Sequence, residues 1–133
     1  MRADVAVYHI LKNNADVTSI VSTNIFPNVV PQGVTASDVL TYHISNIESY
    51  DTKSSYNDYH RCDVQVSCFS KNSSTAADLQ EKVRVAMERY KGVTGTNTTV
   101  TVDYCFFDSA EDMGYLKDVD KYHKVVNFKL FIL

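Results

Sequence analysis

The stretch Tyr59–Gly92, YHRCDVQVSCFSKNSSTAADLQEKVRVAMERYKG, combines a strand with a helix and decides the fold. In its first half apolar and polar residues alternate, which is typical of a strand with one buried face. The apolar members are Cys62, Val64, Val66 and Cys68. After a polar link, apolar residues recur at helical spacing at Ala76, Leu79, Val83, Ala86, Met87 and Tyr90. Thr75 and Asp78 have the spacing of a capping box, and Gly92 suits a left-handed C-terminal cap.

The flanking sequence predicts further elements on both sides of this unit. Asp4 and Asp16 are expected to cap helical segments, and Pro27 and Pro31 to end a short extended piece. Apolar alternation predicts three more strands, whereas the acid-rich segment Asp108–Asp120 is expected to be a loop. The expected elements are a helix over Val5–Asn13, a short turn of helix over Val17–Val21, an extended piece at Ile25 and Phe26, and strands over Val39–Tyr50, Thr98–Phe107 and Tyr122–Ile132.

In two of these strands the alternation also predicts which side chains are buried together. The strand Thr98–Phe107 is predicted to place Val100, Val102, Tyr104 and Phe106 on one face. The last strand places Tyr122, Val126, Phe128, Leu130 and Ile132 on one face. The order of elements indicates an α+β domain spanning residues 1–133, with a mostly antiparallel sheet of four to five strands and two helices packed on one face.

Composition limits the class of protein. A chain of 133 residues with 44% hydrophobic residues can form one globular domain that buries about two thirds of its unfolded surface. No apolar run approaches the roughly 20 residues of a membrane span, and the N-terminus begins a helix pattern, which favours a cytosolic protein. The net charge is −3 with scattered Lys and Arg, which argues against a nucleic-acid-binding surface.

The three cysteines fit no metal motif. Cys62 and Cys68 lie six residues apart on one strand, about 20 Å, which is too far for a disulfide. Cys105 could approach one of them only if strand register allowed it. The pattern favours reduced thiols that serve as small packing groups.

Four polar residues of the expected open sheet face could form a site: His43, Asp63, Asp103 and His123. Two histidines and two aspartates can bind a metal. The sequence does not bring them within ligand distance, and no catalytic or phosphate-binding motif accompanies them. Polar residues are the normal composition of such a face, so no enzyme activity, metal or cofactor is expected.

The composition of two predicted loops favours contacts with other proteins. The first is the hairpin tip Tyr50–Tyr59, and the second is the acid-rich loop Asp108–Asp120. Tyrosine suits interfaces because it combines a large contact area with few torsions, and both loops are aromatic or apolar. Phe69, Phe107 and Phe131 also fall on the polar face, which suggests that another subunit covers it. The candidate interface residues are Tyr50, Lys53, Tyr56, Tyr59, Phe69, Met113, Tyr115 and Leu116. An aromatic hairpin tip folded back on the sheet is the alternative for the first loop.

Several segments resemble the phage tail-completion family, which includes the tail terminator proteins of long-tailed bacteriophages. They include the opening helix AVYHILK, the segment NIFPNVVPQG, the strand CDVQVSCFS, the helix AADLQEKVRVAM and the closing FKLFI. The resemblance covers nearly the whole chain and consists of apolar patterns and turns.

The resemblance implies a structural virion protein without catalysis. Members of this family form a ring, commonly a hexamer, at the head-proximal end of the tail tube. The ring ends tube polymerisation and contacts the connector or stopper protein of the head, so the implied partners are further copies of the chain, the tube protein and that connector. DNA would pass through an acidic or neutral lumen without specific binding. The implied location is the virion tail, after assembly in the host cytoplasm.

Three hypotheses follow from the sequence. The first is a tail terminator ring, the second a metal-dependent enzyme that uses His43, Asp63, Asp103 and His123, and the third another head–tail joining or assembly adaptor protein. Measurement of mass in solution separates them.

Overall fold

The computed structural model describes residues 2–49 and 59–133. Three helices and six strands occur in these two ranges. Their bounds are α1 Ala3–Lys12, α2 Ala15–Val21, β1 Ile25–Pro27, β2 Val39–Ser49, β3 His60–Ser70, α3 Ser73–Met87, β4 Gly92–Thr94, β5 Val100–Leu116 and β6 Lys121–Ile132.

Within the described ranges the strands form one six-stranded sheet in the order β1-β2-β3-β6-β5-β4, which curves into a half-barrel. The sheet is mixed, because β1 is parallel to β2 while the other neighbouring pairs are antiparallel. The prediction of a mostly antiparallel sheet of four to five strands with two helices is therefore wrong.

The sequence pattern missed these features for physical reasons. Ile25–Pro27 is a short piece whose partner, Leu40–Tyr42, lies across a loop, so its parallel pairing is non-local. The sequence pattern predicts a helix cap at Gly92, but Gly92–Thr94 is a strand that pairs with Val100–Val102. The loop predicted over Asp108–Asp120 is wrong for most of its length, because β5 continues through this segment to Leu116.

The core lies between the helices and one face of the sheet. The apolar face predicted for β3 and the apolar stripe predicted for α3 meet there, because Cys62, Val64 and Val66 belong to the same buried cluster as Leu79 and Val83. Each of these side chains is at most 2% exposed. Full burial of one large aliphatic side chain stabilises a fold by about 1.5–3 kcal/mol, so the burial of Leu79 and Val83 helps to hold α3 on the sheet.

The ends of α3 differ from the capping pattern in the sequence. Its N-cap is Asn72, whose side chain accepts hydrogen bonds of 2.9 and 3.2 Å from the amides of Ser74 and Thr75. The capping box expected at Thr75 is therefore wrong. The helix ends at Met87, and Gly92, with φ of +136°, begins β4 instead of closing the helix.

The first two helices also begin elsewhere than predicted. Asp4 lies inside the first turn of α1, where it pairs with Arg2 at 2.9 Å. The N-cap of α2 is Asn14, whose side chain accepts a hydrogen bond of 3.1 Å from the amide of Val17, and Asp16 lies in the first turn. In both helices the acid is favourable because it lies near the positive end of the helix dipole.

A β-bulge in β5 reverses the predicted facing of its aromatic residues. The register against β6 shifts between Val102 and Tyr104. Beyond the shift Cys105 is fully buried and Phe107 packs against the core, so Tyr104 and Phe106 point to the other face. The predicted common face of Val100, Val102, Tyr104 and Phe106 therefore holds only for the two valines.

Candidate interaction surface

The sheet face opposite the core helices, called the outer face below, carries a group of contacting rings. Tyr59 stacks on Phe131 with ring centroids 5.7 Å apart. Phe106 meets Phe131 edge-on at 5.5 Å, and Tyr104 lies 4.5 Å from Phe106. These four residues, Tyr59, Tyr104, Phe106 and Phe131, are called the aromatic patch. Edge-to-face and stacked pairs of this kind contribute about 0.5–1.5 kcal/mol each beyond the area they bury.

The aromatic patch is only partly covered by its own chain. Phe106 is 50% exposed, and the other three rings are half-buried. A positive charge lies beside it, because Nζ of Lys91 is 5.4 Å from the centroid of the Tyr104 ring. Large aromatic side chains are enriched at the centres of protein interfaces.

The second exposed apolar region is the end of the β5–β6 hairpin, residues 108–120, called the distal hairpin. Every residue from 110 to 120 is exposed, so neither face of this segment packs on the core. Met113 is 54% and Val119 53% exposed. Lys124 of β6 binds Asp112 of the hairpin at 2.8 Å, and this contact lowers the pKa of the Asp112 carboxyl. The hydroxyl of Tyr115 donates to Asp120, which raises the pKa of Tyr115.

A groove of about 540 Å³ joins the base of the distal hairpin to the loop 30–35. Phe69 and Leu116 line its apolar side, and Lys71 and Lys121 its basic side. Behind it, His123 stacks on Phe69 with ring centroids 4.4 Å apart. Burial lowers the pKa of His123 and disfavours its charged form.

The interface residues predicted from sequence do not form one surface. Tyr50, Lys53 and Tyr56 lie outside the described residues. Tyr59 belongs to the aromatic patch, whereas Phe69 lines the groove at the other end of β3. Met113, Tyr115 and Leu116 lie on the distal hairpin, where each is at least 36% exposed.

Sequence reasoning missed two members of the patch, Tyr104 and Phe106. Regular alternation assigns them to the core, and only a bulge reverses them. No residue near Val102 indicates that bulge, since the local sequence has neither glycine nor proline. One signal of the bulge was available in the sequence. Regular alternation exposes Cys105, a small residue of a type that is usually buried, and buries its two aromatic neighbours.

The structure does not bring the four polar candidates together. His43 contacts Asn28 through Nδ1 at 2.8 Å, and Asp103 accepts a hydrogen bond from Tyr59. Asp63 lies 3.9 Å from Nε of Arg61, while His123 is stacked in the groove region. In residues 2–49 and 59–133 no group of three or more His, Cys, Asp or Glu side chains could hold a metal ion.

The cysteines are packing groups, as predicted. All three are fully buried and unbridged. Burial raises the pKa of the Cys62 thiol to about 11 and that of Cys105 to about 12. The pKa of Cys68 is raised as well. These thiols are protonated at neutral pH and weakly nucleophilic.

Comparison with known proteins identifies a fold but no family. No protein-family model and no curated protein matches the chain. Among solved structures, the chain is similar to one from the virion of a native gene transfer agent (GTA) particle, with a TM-score of 0.76 at 17% identity. The match covers 95% of this chain and 90% of that one. The two therefore share a fold over nearly their whole length. No helix among the described residues is long and apolar enough to cross a membrane.

Proposed function

We propose that this protein is a structural component of a phage-like virion, and that it forms a tail terminator ring, commonly of six copies in the family it resembles. The ring would lie at the head-proximal end of the tail tube, end tube polymerisation and bind the connector or stopper protein of the head. Its partners are other copies of itself, the tube protein and that connector.

The observation that carries this proposal is the shared fold with a virion chain over 95% of the sequence. The resemblance of its helix and strand segments to tail-completion proteins supports the same role independently. Both comparisons concern nearly the whole chain rather than a single segment of it.

The exposed apolar surface supports assembly. The aromatic patch and the distal hairpin present large apolar side chains at opposite ends of the β5–β6 ladder, among them Phe106 and Met113. Contiguous exposed apolar groups are typical of protein–protein contacts. In a ring each copy contacts two neighbours through two different surfaces, which this separation provides.

The charge distribution suits a ring through which DNA passes. The net charge is −3, and the distal hairpin carries five acids at positions 108, 111, 112, 118 and 120. An acidic or neutral lumen does not release counterions from DNA, so DNA would not adhere to it.

Measurement of native mass with negative-stain imaging tests this function. We expect rings of uniform size, either in solution or on purified tail tubes, and the protein at one end of each tail in purified particles. A protein that remains monomeric at high concentration, binds no tube and is absent from particles would contradict the proposal.

A further inference from the structure

One open edge of the sheet belongs to β2. The short strand β1 pairs only with Leu40–Tyr42, so beyond Tyr42 the outer edge of β2 has no neighbouring strand in the described part of the chain. The amide of Leu40 points to the β1 side, since it donates to the carbonyl of Asn24 at 3.0 Å. Alternation directs the backbone N–H of Ile44 to the same, open side. A groove of about 430 Å³ runs beside this edge and is lined by Tyr42, Ile44 and Ile47, among others.

The other open edge belongs to β5, on the opposite side of the sheet. The short strand β4 pairs only with Val100–Val102 of this 17-residue strand. The amide of Arg89 donates to the carbonyl of Cys105 at 2.8 Å. From there to Leu116, no strand within residues 2–49 and 59–133 covers the outer edge. Exposed strand edges of this length invite pairing with another chain.

The two edges match in direction. Between β2 and β5 lie β3 and β6, and each neighbouring pair is antiparallel, so β2 and β5 run in opposite directions. If a second copy continues the sheet in the same orientation, its β5 lies antiparallel to β2 of the first. Antiparallel pairing is the more stable of the two ladders.

They also match in level along the strands. One row across the sheet joins Ile44, Val64, Phe128 and Phe107. The register shifts beside this row on both open strands, between Ile44 and Asn46 and between Phe107 and Ser109. The bulge residues Ser45 and Asp108 therefore each lie within about one residue of this row, one on either side of it, at the two opposite edges of the sheet.

Charge favours unlike edges over like edges. Residues 106–116 of β5 contain Asp108, Glu111 and Asp112 and no lysine or arginine. Pairing of β5 with another β5 would place acids against acids. Residues 43–49 of β2 contain one acid, Glu48, so their electrostatic repulsion with the acidic β5 edge is much weaker.

We propose that the outer edge of β2 in one copy pairs antiparallel with the outer edge of β5 in a second copy of this chain. The contact joins two different surfaces and repeats from copy to copy, so it closes into a ring when the rotation closes. The inference specifies the subunit contact in the ring and rests on the proposed function.

Cross-linking between single-cysteine variants tests the pairing. Ser45→Cys and Asp108→Cys each add one exposed thiol, while the three native cysteines are fully buried and do not compete. After treatment with a flexible bismaleimide, we expect a cross-linked dimer in the mixture of the two variants. Each variant alone should give at least tenfold less. Equal cross-linking in the single-variant samples, or none in an assembled mixture, would overturn the pairing.

A backbone variant gives a second readout. Ile44→Pro removes an N–H that faces the open edge and leaves the β2–β3 ladder bonds in place. Ile44→Ala is its control, because it shortens the same side chain and keeps the N–H. We expect Ile44→Pro to weaken self-association at least tenfold relative to Ile44→Ala. Equal self-association of the two variants would contradict an edge contact.

The outcomes separate this inference from the proposed function. Rings on tails that give no cross-link between the S45C and D108C variants would reject the pairing and keep the function. Cross-linked assemblies of a protein absent from every virion would keep the pairing and reject the function. A protein that neither assembles nor cross-links would reject both.

Discussion

The hydroxyl of Tyr59 donates a hydrogen bond of 2.8 Å to Oδ2 of Asp103, and thereby spans β6 from the start of β3 to β5. Between them the Tyr59 ring stacks on Phe131. We expect Tyr59→Phe to lower the free energy of unfolding by about 0.5–1.5 kcal/mol, because it removes the hydrogen bond and keeps the ring. Urea denaturation measures the loss. If Asp103→Ala and the double variant show that the two losses simply add, the residues do not interact.

Asn72 caps α3 in the structure, whereas the sequence pattern points to Thr75 and Asp78. Asn72→Ala should therefore cost about 0.5–2 kcal/mol of stability, since it leaves two amides of the first turn without their acceptor. Asp78→Ala, at an exposed position, should change stability by less than about 0.5 kcal/mol. Thermal unfolding of both variants measures the difference, and a larger loss for Asp78→Ala would place the cap at the position that the pattern indicates.

The local parts of the fold could be predicted because local periodicity determines them. The buried face of β3 and the apolar stripe of α3 follow directly from residue spacing, and both are confirmed by the burial of Val64 and Leu79. The predicted face of β6 is confirmed for Val126, Phe128, Leu130 and Ile132. In each of these segments apolar residues repeat at a single period.

The rest could not be predicted because it depends on pairing or on one extra residue. The parallel contact of Ile25 with Leu40 is decided by packing across a loop, not by local preference. The bulge after Val102 moves Phe106 from the core to the outer face and creates the aromatic patch. The exposed tip of β5 reads as a polar loop, because its strand conformation comes from pairing with β6 rather than from an apolar face.

The buried thiols make the free energy of unfolding depend on pH in the alkaline range. Burial raises the pKa of Cys62 from 9.0 to about 11 and that of Cys105 to about 12. A thiol with a raised pKa in the folded state contributes stability that is present in full below pH 9 and is lost as pH rises towards the folded value. Above pH 9 each thiol should add a loss of up to about 1.4 kcal/mol per pH unit.

Denaturation with urea at a series of pH values from 8 to 11 checks this dependence. Tyrosine and lysine also titrate in this range, so the comparison is with Cys62→Ala. That variant starts from a lower stability because it loses buried atoms, but its stability should fall less steeply above pH 9. Parallel curves for the two proteins would show that Cys62 does not contribute to the pH dependence.

Substitution in the aromatic patch should weaken assembly without preventing folding. Phe106 is 50% exposed on the outer face, whereas Val85 is 57% exposed on α3 and is not one of the residues assigned to the surfaces above. Phe106→Ser should weaken assembly by at least about 2 kcal/mol, roughly 30-fold, if the phenyl ring fills a partner's pocket, because central aromatic residues dominate interface energies. Val85→Ser is the matched control and should leave assembly unchanged. Sedimentation velocity over a concentration series measures both, and circular dichroism verifies that each variant is folded. Equal assembly of the two variants would remove the aromatic patch from the contacts between copies and leave the strand edges and the distal hairpin to hold the assembly.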